Sequence, residues 1–183
     1  MSEQFSERIE VPEPDDMHEL GIKLGRVLRA GDLVLLTGPL GAGKTTLTRG
    51  IGEGLGVRGP VQSPTFVIAR THPSLVGGAP LVHVDAYRLG DAAEIEDLDL
   101  DFDGSVVVAE WGAALAGERE SWLDIVIERP IGGASDGSTP GAGAAVLGSV
   151  DDDDEDEDED DLVEARTITI TGHGPRWAEG AIA

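Results

Sequence analysis

Apolar residues fall along this chain in two periods. Residues 33–36, 81–84 and 105–109 are nearly unbroken apolar runs of strand length, the pattern of β-strands covered on both faces. Residues 122–127 and 166–171 alternate apolar and polar positions, which predicts an antiparallel pair at one side of the sheet. Residues 6–11 have a strand's composition and end at Pro12-Glu13-Pro14, so an edge strand is expected there. Helical spacing appears in Met17, Leu20, Leu24 and Val27, with Asp15 or Asp16 as the expected N-cap and core packing as the role of the apolar stripe. A second helix is expected from Thr46, a strand over 66–70, a Pro/Gly loop over 73–80, and a short helix over 91–98. Strands alternating with helices predict an α/β fold with a largely parallel central sheet flanked by helices.

The first α/β unit carries a specific piece of chemistry. Residues 38–45, Gly-Pro-Leu-Gly-Ala-Gly-Lys-Thr, match G-x-x-x-x-G-K-[ST] in full, after a strand and before a helix. Glycines let backbone N–H groups turn inward around a phosphate, and the helix N-terminus adds a favourable dipole. Gly38, Gly41, Ala42, Gly43, Lys44, Thr45 and Thr46 are therefore the candidate nucleotide-binding residues. Lys44 is expected on the β- and γ-phosphates and Thr45 on Mg²⁺. This predicts a P-loop NTPase-like site with ATP and Mg²⁺ as cofactors.

Such a site needs a carboxylate at the end of a neighbouring strand. Asp85 follows the run 81–84, and Glu110 follows 105–109. Both are candidate catalytic and metal-side groups; each could ligate the ion directly or through water, or orient the attacking water. Ser63 and Thr65 lie between the first two site strands, where a switch residue sensing the γ-phosphate is expected. Arg88 is open between a phosphate contact and a salt bridge. His18, His72, His83 and His173 show no ligand spacing; His83 is expected to pack within its strand, and Trp111 to be partial core.

Composition narrows the partners. The chain carries 36 acidic and 13 basic residues, a net charge of −23. The run 151–161 is wholly acidic, yet without it the balance is still 25 to 13, a net of −12. Tight, independent nucleic-acid binding needs a basic face, so any action on RNA is expected through a partner. No cysteine is present, which excludes disulfides and thiolate chemistry. Neither a signal peptide nor an apolar run of membrane-spanning length is evident, so a cytoplasmic protein is expected. One domain, 1–130 with 162–183, is predicted, interrupted by a disordered Gly-rich and acidic insertion at 131–161.

Four segments together resemble the TsaE (YjeE) family: Leu40 to Thr46, Ser63-Pro64-Thr65-Phe66, His83-Val84-Asp85-Ala86-Tyr87-Arg88-Leu89, and Glu110-Trp111-Gly112. The resemblance covers about residues 10–130 and resumes near 162–172. It implies a slow ATPase that assists the TsaD and TsaB transferase subunits in forming threonylcarbamoyladenosine at position 37 of tRNA. By position it implies phosphate contacts at 41–46, metal ligation by Thr45 and Glu110, a Walker-B role for Asp85 and a switch role near Thr65. Pro39 stands where many relatives have Asp, and the 131–161 insertion is longer and more acidic than usual. A small-molecule kinase is the rival reading; Arg88, Arg119 and Arg129 are poor material for its lid.

Overall fold

In the computed structural model the described residues are 4–64, 67–89, 93–94, 97–130 and 164–182. Seven strands form one sheet: β1 (Gln4–Val11), β2 (Leu33–Thr37), β3 (Ala69–His72), β4 (Leu81–Asp85), β5 (Val106–Glu110), β6 (Trp122–Glu128) and β7 (Arg166–His173). Two helices join them, α1 (Pro14–Val27) and α2 (Lys44–Leu55). The spatial order is β1-β7-β6-β2-β5-β4-β3.

The centre of the sheet is parallel: β6 with β2, β2 with β5, and β5 with β4. Both flanks are antiparallel. β6–β7–β1 forms the expected pair plus the edge strand, and β3 adds a second antiparallel edge against β4. The sheet is thus mixed rather than largely parallel in its pairings. β6 and β7 bury every second residue, as their alternation predicts, because one face is covered and the other is only half shielded. β2, β4 and β5 are buried on both faces over almost their whole length.

Both long helices lie on one face. Leu20, Leu24, Leu47 and Ile51 join Val34, Leu36, Val106 and Val108 in one core. Among the described residues the opposite face, with Leu35, Val82, Val84, Val107 and Ala109, is closed by Ala86, Leu115 and the partly buried Leu89, Leu100 and Phe102. The expectation of flanking helices holds on the α1–α2 side; on the other side the segment expected to be helical is described only in part. Leu47 and Ile51 are fully buried, and truncating either to alanine would cost about 2–5 kcal/mol.

α1 begins earlier than the Asp15 or Asp16 cap expected. Glu13 is the N-cap and Pro14 the first helical residue, whose fixed φ suits that position. Asp16 instead reaches back, its carboxylate accepting from the Glu13 N–H at 3.2 Å. The expected helix over 91–98 falls mostly outside the described residues, with 93–94 helical. The insertion 131–161 and the strand start at Phe66 lie outside them as well.

Glycine sets the distance between the two helices. A Cβ on Gly21 would lie 2.3 Å from the Leu47 carbonyl oxygen, and one on Gly50 would lie 2.2 Å from that of His18. Gly25 and Gly54 are equally tight against the opposite backbone. The Gly-x-x-x-Gly spacing on each helix puts its two glycines on one face, one turn apart, and no side chain separates the two backbones there.

Candidate functional site

The phosphate-loop segment leaves β2 at Thr37 and enters α2 at Lys44. Gly41 (φ 73°) and Gly43 (φ 102°) hold left-handed backbone conformations that other residues rarely adopt. Gly43 is the N-cap of α2, with no side-chain cap and no acidic residue in the first turn. The first-turn N–H groups and the positive end of the helix dipole are thus left to the loop, the setting that suits an oxyanion. Lys44 is buried, and its Nζ donates to the carbonyls of Gly38 at 2.8 Å and Pro39 at 3.0 Å. Among the described residues no acidic side chain pairs with it. Pro39 lies exposed in this loop and contributes a carbonyl, not a side-chain contact.

Strand register brings the carboxylates alongside. Leu36 of β2, Glu110 of β5 and Asp85 of β4 form one row across three parallel strands. Side chains alternate along a strand. Glu110 therefore shares its face with Val106 and Val108, and Asp85 with Leu81, all on the side covered by α2. The tie back to the loop is Trp111, whose ring centroid is 5.4 Å from Lys44 Nζ. Trp111 has φ 60° and donates its N–H to the Leu36 carbonyl at 2.9 Å, so the chain turns sharply over the end of β2. Its ring also meets Tyr87 edge-on at 6.1 Å.

The partners of the two carboxylates differ. Asp85 Oδ1 accepts the Tyr87 N–H at 3.2 Å, and Oδ2 lies 3.7 Å from Arg88 Nε. That ion pair is where the structure uses Arg88. Glu110 Oε1 is 2.9 Å from Nε2 of the fully buried His83. Among the described residues no three His, Asp or Glu side chains converge. A hard cation held by Thr45 with Glu110 or Asp85 would take its other ligands from phosphate oxygens and water, as Mg²⁺ does.

Beside the loop is a cavity of about 160 Å³. Val11, Pro14 and Met17 line it with apolar surface beside Gly41 and Gly43, and Glu13, Glu164 and Arg166 supply its charged groups. This volume is several times a water's share of liquid.

The structure thus brings Gly38, Gly41, Ala42, Gly43, Lys44, Thr45, Thr46, Asp85 and Glu110 to one end of the central strands. Ser63 is half-buried in the segment before β3; Thr65 lies outside the described residues. Two features differ from expectation. Trp111 is 39% exposed at the mouth of the loop, so it is not core. His83 does more than pack, because it bonds Glu110. The signal for His83 was available: position i−2 from Asp85 shares its face, and a lone polar residue in a doubly covered strand needs a partner there.

Comparison with known proteins shows the family. The family model described as "Threonylcarbamoyl adenosine biosynthesis protein TsaE" matches residues 11–131. A Streptomyces coelicolor protein named tRNA threonylcarbamoyladenosine biosynthesis protein TsaE is 51% identical over 171 residues, covering 91% of this chain and 97% of its own. A Bacillus subtilis protein of the same name is 38% identical over 118 residues, covering 63% and 73%. The crystal structure of Bacillus subtilis YdiB superposes with a TM-score of 0.59 at 29% identity, covering 95% of this chain and 88% of that one. On the family match and the extent of these likenesses, this chain belongs to the TsaE family.

Proposed function

We propose that this protein is a Mg²⁺-dependent ATPase that supports formation of N6-threonylcarbamoyladenosine at position 37 of tRNA, working with TsaD and TsaB type transferase subunits in the cytoplasm. The observation that carries the ATPase half is the row Leu36–Glu110–Asp85, with Lys44 against Trp111 at its end. The tRNA half rests on the names its relatives carry.

The chemistry follows from the side chains. Lys44 exchanges two neutral carbonyl acceptors for phosphate oxygens, a stronger charge-assisted bond. The N–H groups of the first turn of α2 hold the β-phosphate, and the apolar wall of Val11, Pro14 and Met17 receives the base. The Thr45 hydroxyl and a Glu110 oxygen hold the ion on the phosphate side, and Asp85 stands one strand further out to ligate it or orient water. When bound, Mg²⁺ neutralises charge developing on the transferred phosphoryl group. A net charge of −23 fits a subunit that acts on its partners' cycle and leaves tRNA to them.

Phosphate release measured with and without the transferase subunits tests this reading. Slow release that the subunits stimulate is expected. A rate indifferent to them would contradict the accessory role, and transfer of the γ-phosphate to a metabolite would identify a kinase instead.

A further inference from the structure

β4 is apolar except at one interior position. Leu81, Val82 and Val84 fill the two cores, and His83 among them has 0% exposure. A buried imidazole is costly unless its nitrogens are bonded. Among the described residues Nδ1 has no partner, and Nε2 makes one hydrogen bond, 2.9 Å to Glu110 Oε1. A valine, as on either side, would fill an interior strand position without orphaning a nitrogen. What the imidazole adds is that single hydrogen bond.

We propose that His83 is a positioning residue for Glu110, an inference that rests on reading Glu110 as a metal-side carboxylate. An ionised carboxylate only accepts, so Nε2–H is the donor. The register explains the reach. His83 pairs with Val108, two residues before Glu110 on the same face, so the bond runs diagonally across one strand gap. A glutamate at a strand end otherwise samples several rotamers, and selecting one of them costs side-chain entropy. Holding Oε1 selects the rotamer in advance and leaves Oε2 for the ion, as a one-oxygen ligand. That suits Mg²⁺, which keeps several waters and takes few protein ligands. His83 acts through Glu110 alone and needs no contact with nucleotide or metal.

The test reads binding, not turnover. Mg²⁺ is titrated into the full-length protein with a fluorescent ATP analogue, for the wild type, His83→Leu and His83→Gln. His83→Leu is expected to raise the half-saturating Mg²⁺ concentration about 10- to 100-fold, the usual effect of losing a ligand's outer partner. His83→Gln, whose amide N–H donates from a similar place, is expected to restore most of it. An unshifted midpoint in His83→Leu overturns the proposal, as does an equal shift in both variants, which would make the ring's shape the cause. Should His83→Leu fail to fold, the ¹⁵N spectrum of the wild-type imidazole decides independently of nucleotide. An Nε2–H tautomer perturbed by Glu110→Ala is expected, and the Nδ1–H tautomer overturns the inference alone. Wild-type binding that ignores Mg²⁺ would instead take down the proposed function, and the metal half of this inference with it.

Discussion

Lys44 and Asp124 illustrate opposite settings for a charge in an acidic protein. Lys44 is buried yet satisfied by two loop carbonyls, so its ammonium stands at the loop with no acidic side chain among the described residues to displace. Asp124, on β6 between Leu35 of β2 and Thr171 of β7, lacks that support. Burial pushes its carboxyl above the ordinary aspartate value, and nearby His173 only partly opposes this. A raised folded-state pKa means that ionisation disfavours folding. The penalty is fully present above the folded value and vanishes as pH falls below the unfolded one. Asp124→Asn is therefore expected to raise the thermal midpoint at pH 7, with the gain shrinking to nothing below about pH 4. Melting curves over that range check it, and an equal gain at every pH would mean that charge is not the cause. At this scale the Lys44 motif was legible because its chemistry is local in sequence. That His83 needs a polar partner was legible as well, but that Glu110 is that partner was not, because the two are 27 positions apart and only strand register joins them.

The element on which the site depends most is the α1–α2 pair. Glycine in a helix interior ordinarily costs about 1 kcal/mol relative to alanine, so propensity alone predicts that Gly50→Ala stabilises. Packing predicts the reverse, because the new Cβ would sit 2.2 Å from the His18 carbonyl oxygen, and backbone cannot step aside as a flexible side chain would. Overpacking costs about 1–3 kcal/mol, and more where two backbones must part. A net loss of about 2 kcal/mol is expected, or about 4–8 °C in thermal midpoint for a chain of this size. A higher midpoint would refute the close crossing. Parting the helices would also move Met17 from Gly43, where a Cβ would meet the Met17 Cε at 3.2 Å, so nucleotide binding should weaken in the same variant. The amphipathic stripe of α1 could be read from spacing. That both helices share one face could not, since a stripe shows which side of a helix is covered and not which side of the sheet covers it. A strand was expected over 66–70, but its later start at Ala69 and its antiparallel pairing with β4 were hidden, because Ala69–His72 is short and mostly polar.

For the whole molecule, the sheet separates what must be kept from what can be cut. Glu128 and Thr167 face each other as the last described pair of β6 and β7, so residues 131–161 connect two positions already side by side. Closing a shorter loop there changes the entropy only slowly with length. Replacing 131–161 by a short turn should leave ATP binding within about twofold, since the shortening removes about two doublings of loop length, an entropy change of about 1 kcal/mol that bears on folding and leaves the nucleotide-site residues in place. Titration of the shortened protein checks this, and loss of transferase capture alone would mark the acidic run as an interface. The parallel centre and the carboxylates at its ends were legible from three apolar runs, because doubly covered strands leave little else for those sequences to be. The measurement that bears most directly on the central claim is calorimetric titration of ATP into the wild type and Lys44→Ala, each with and without Mg²⁺. The account predicts Mg²⁺-dependent binding by the wild type and a loss of at least about 100-fold in Lys44→Ala, the size of one strong charge-assisted contact or more. Equal affinity in the two proteins would contradict it.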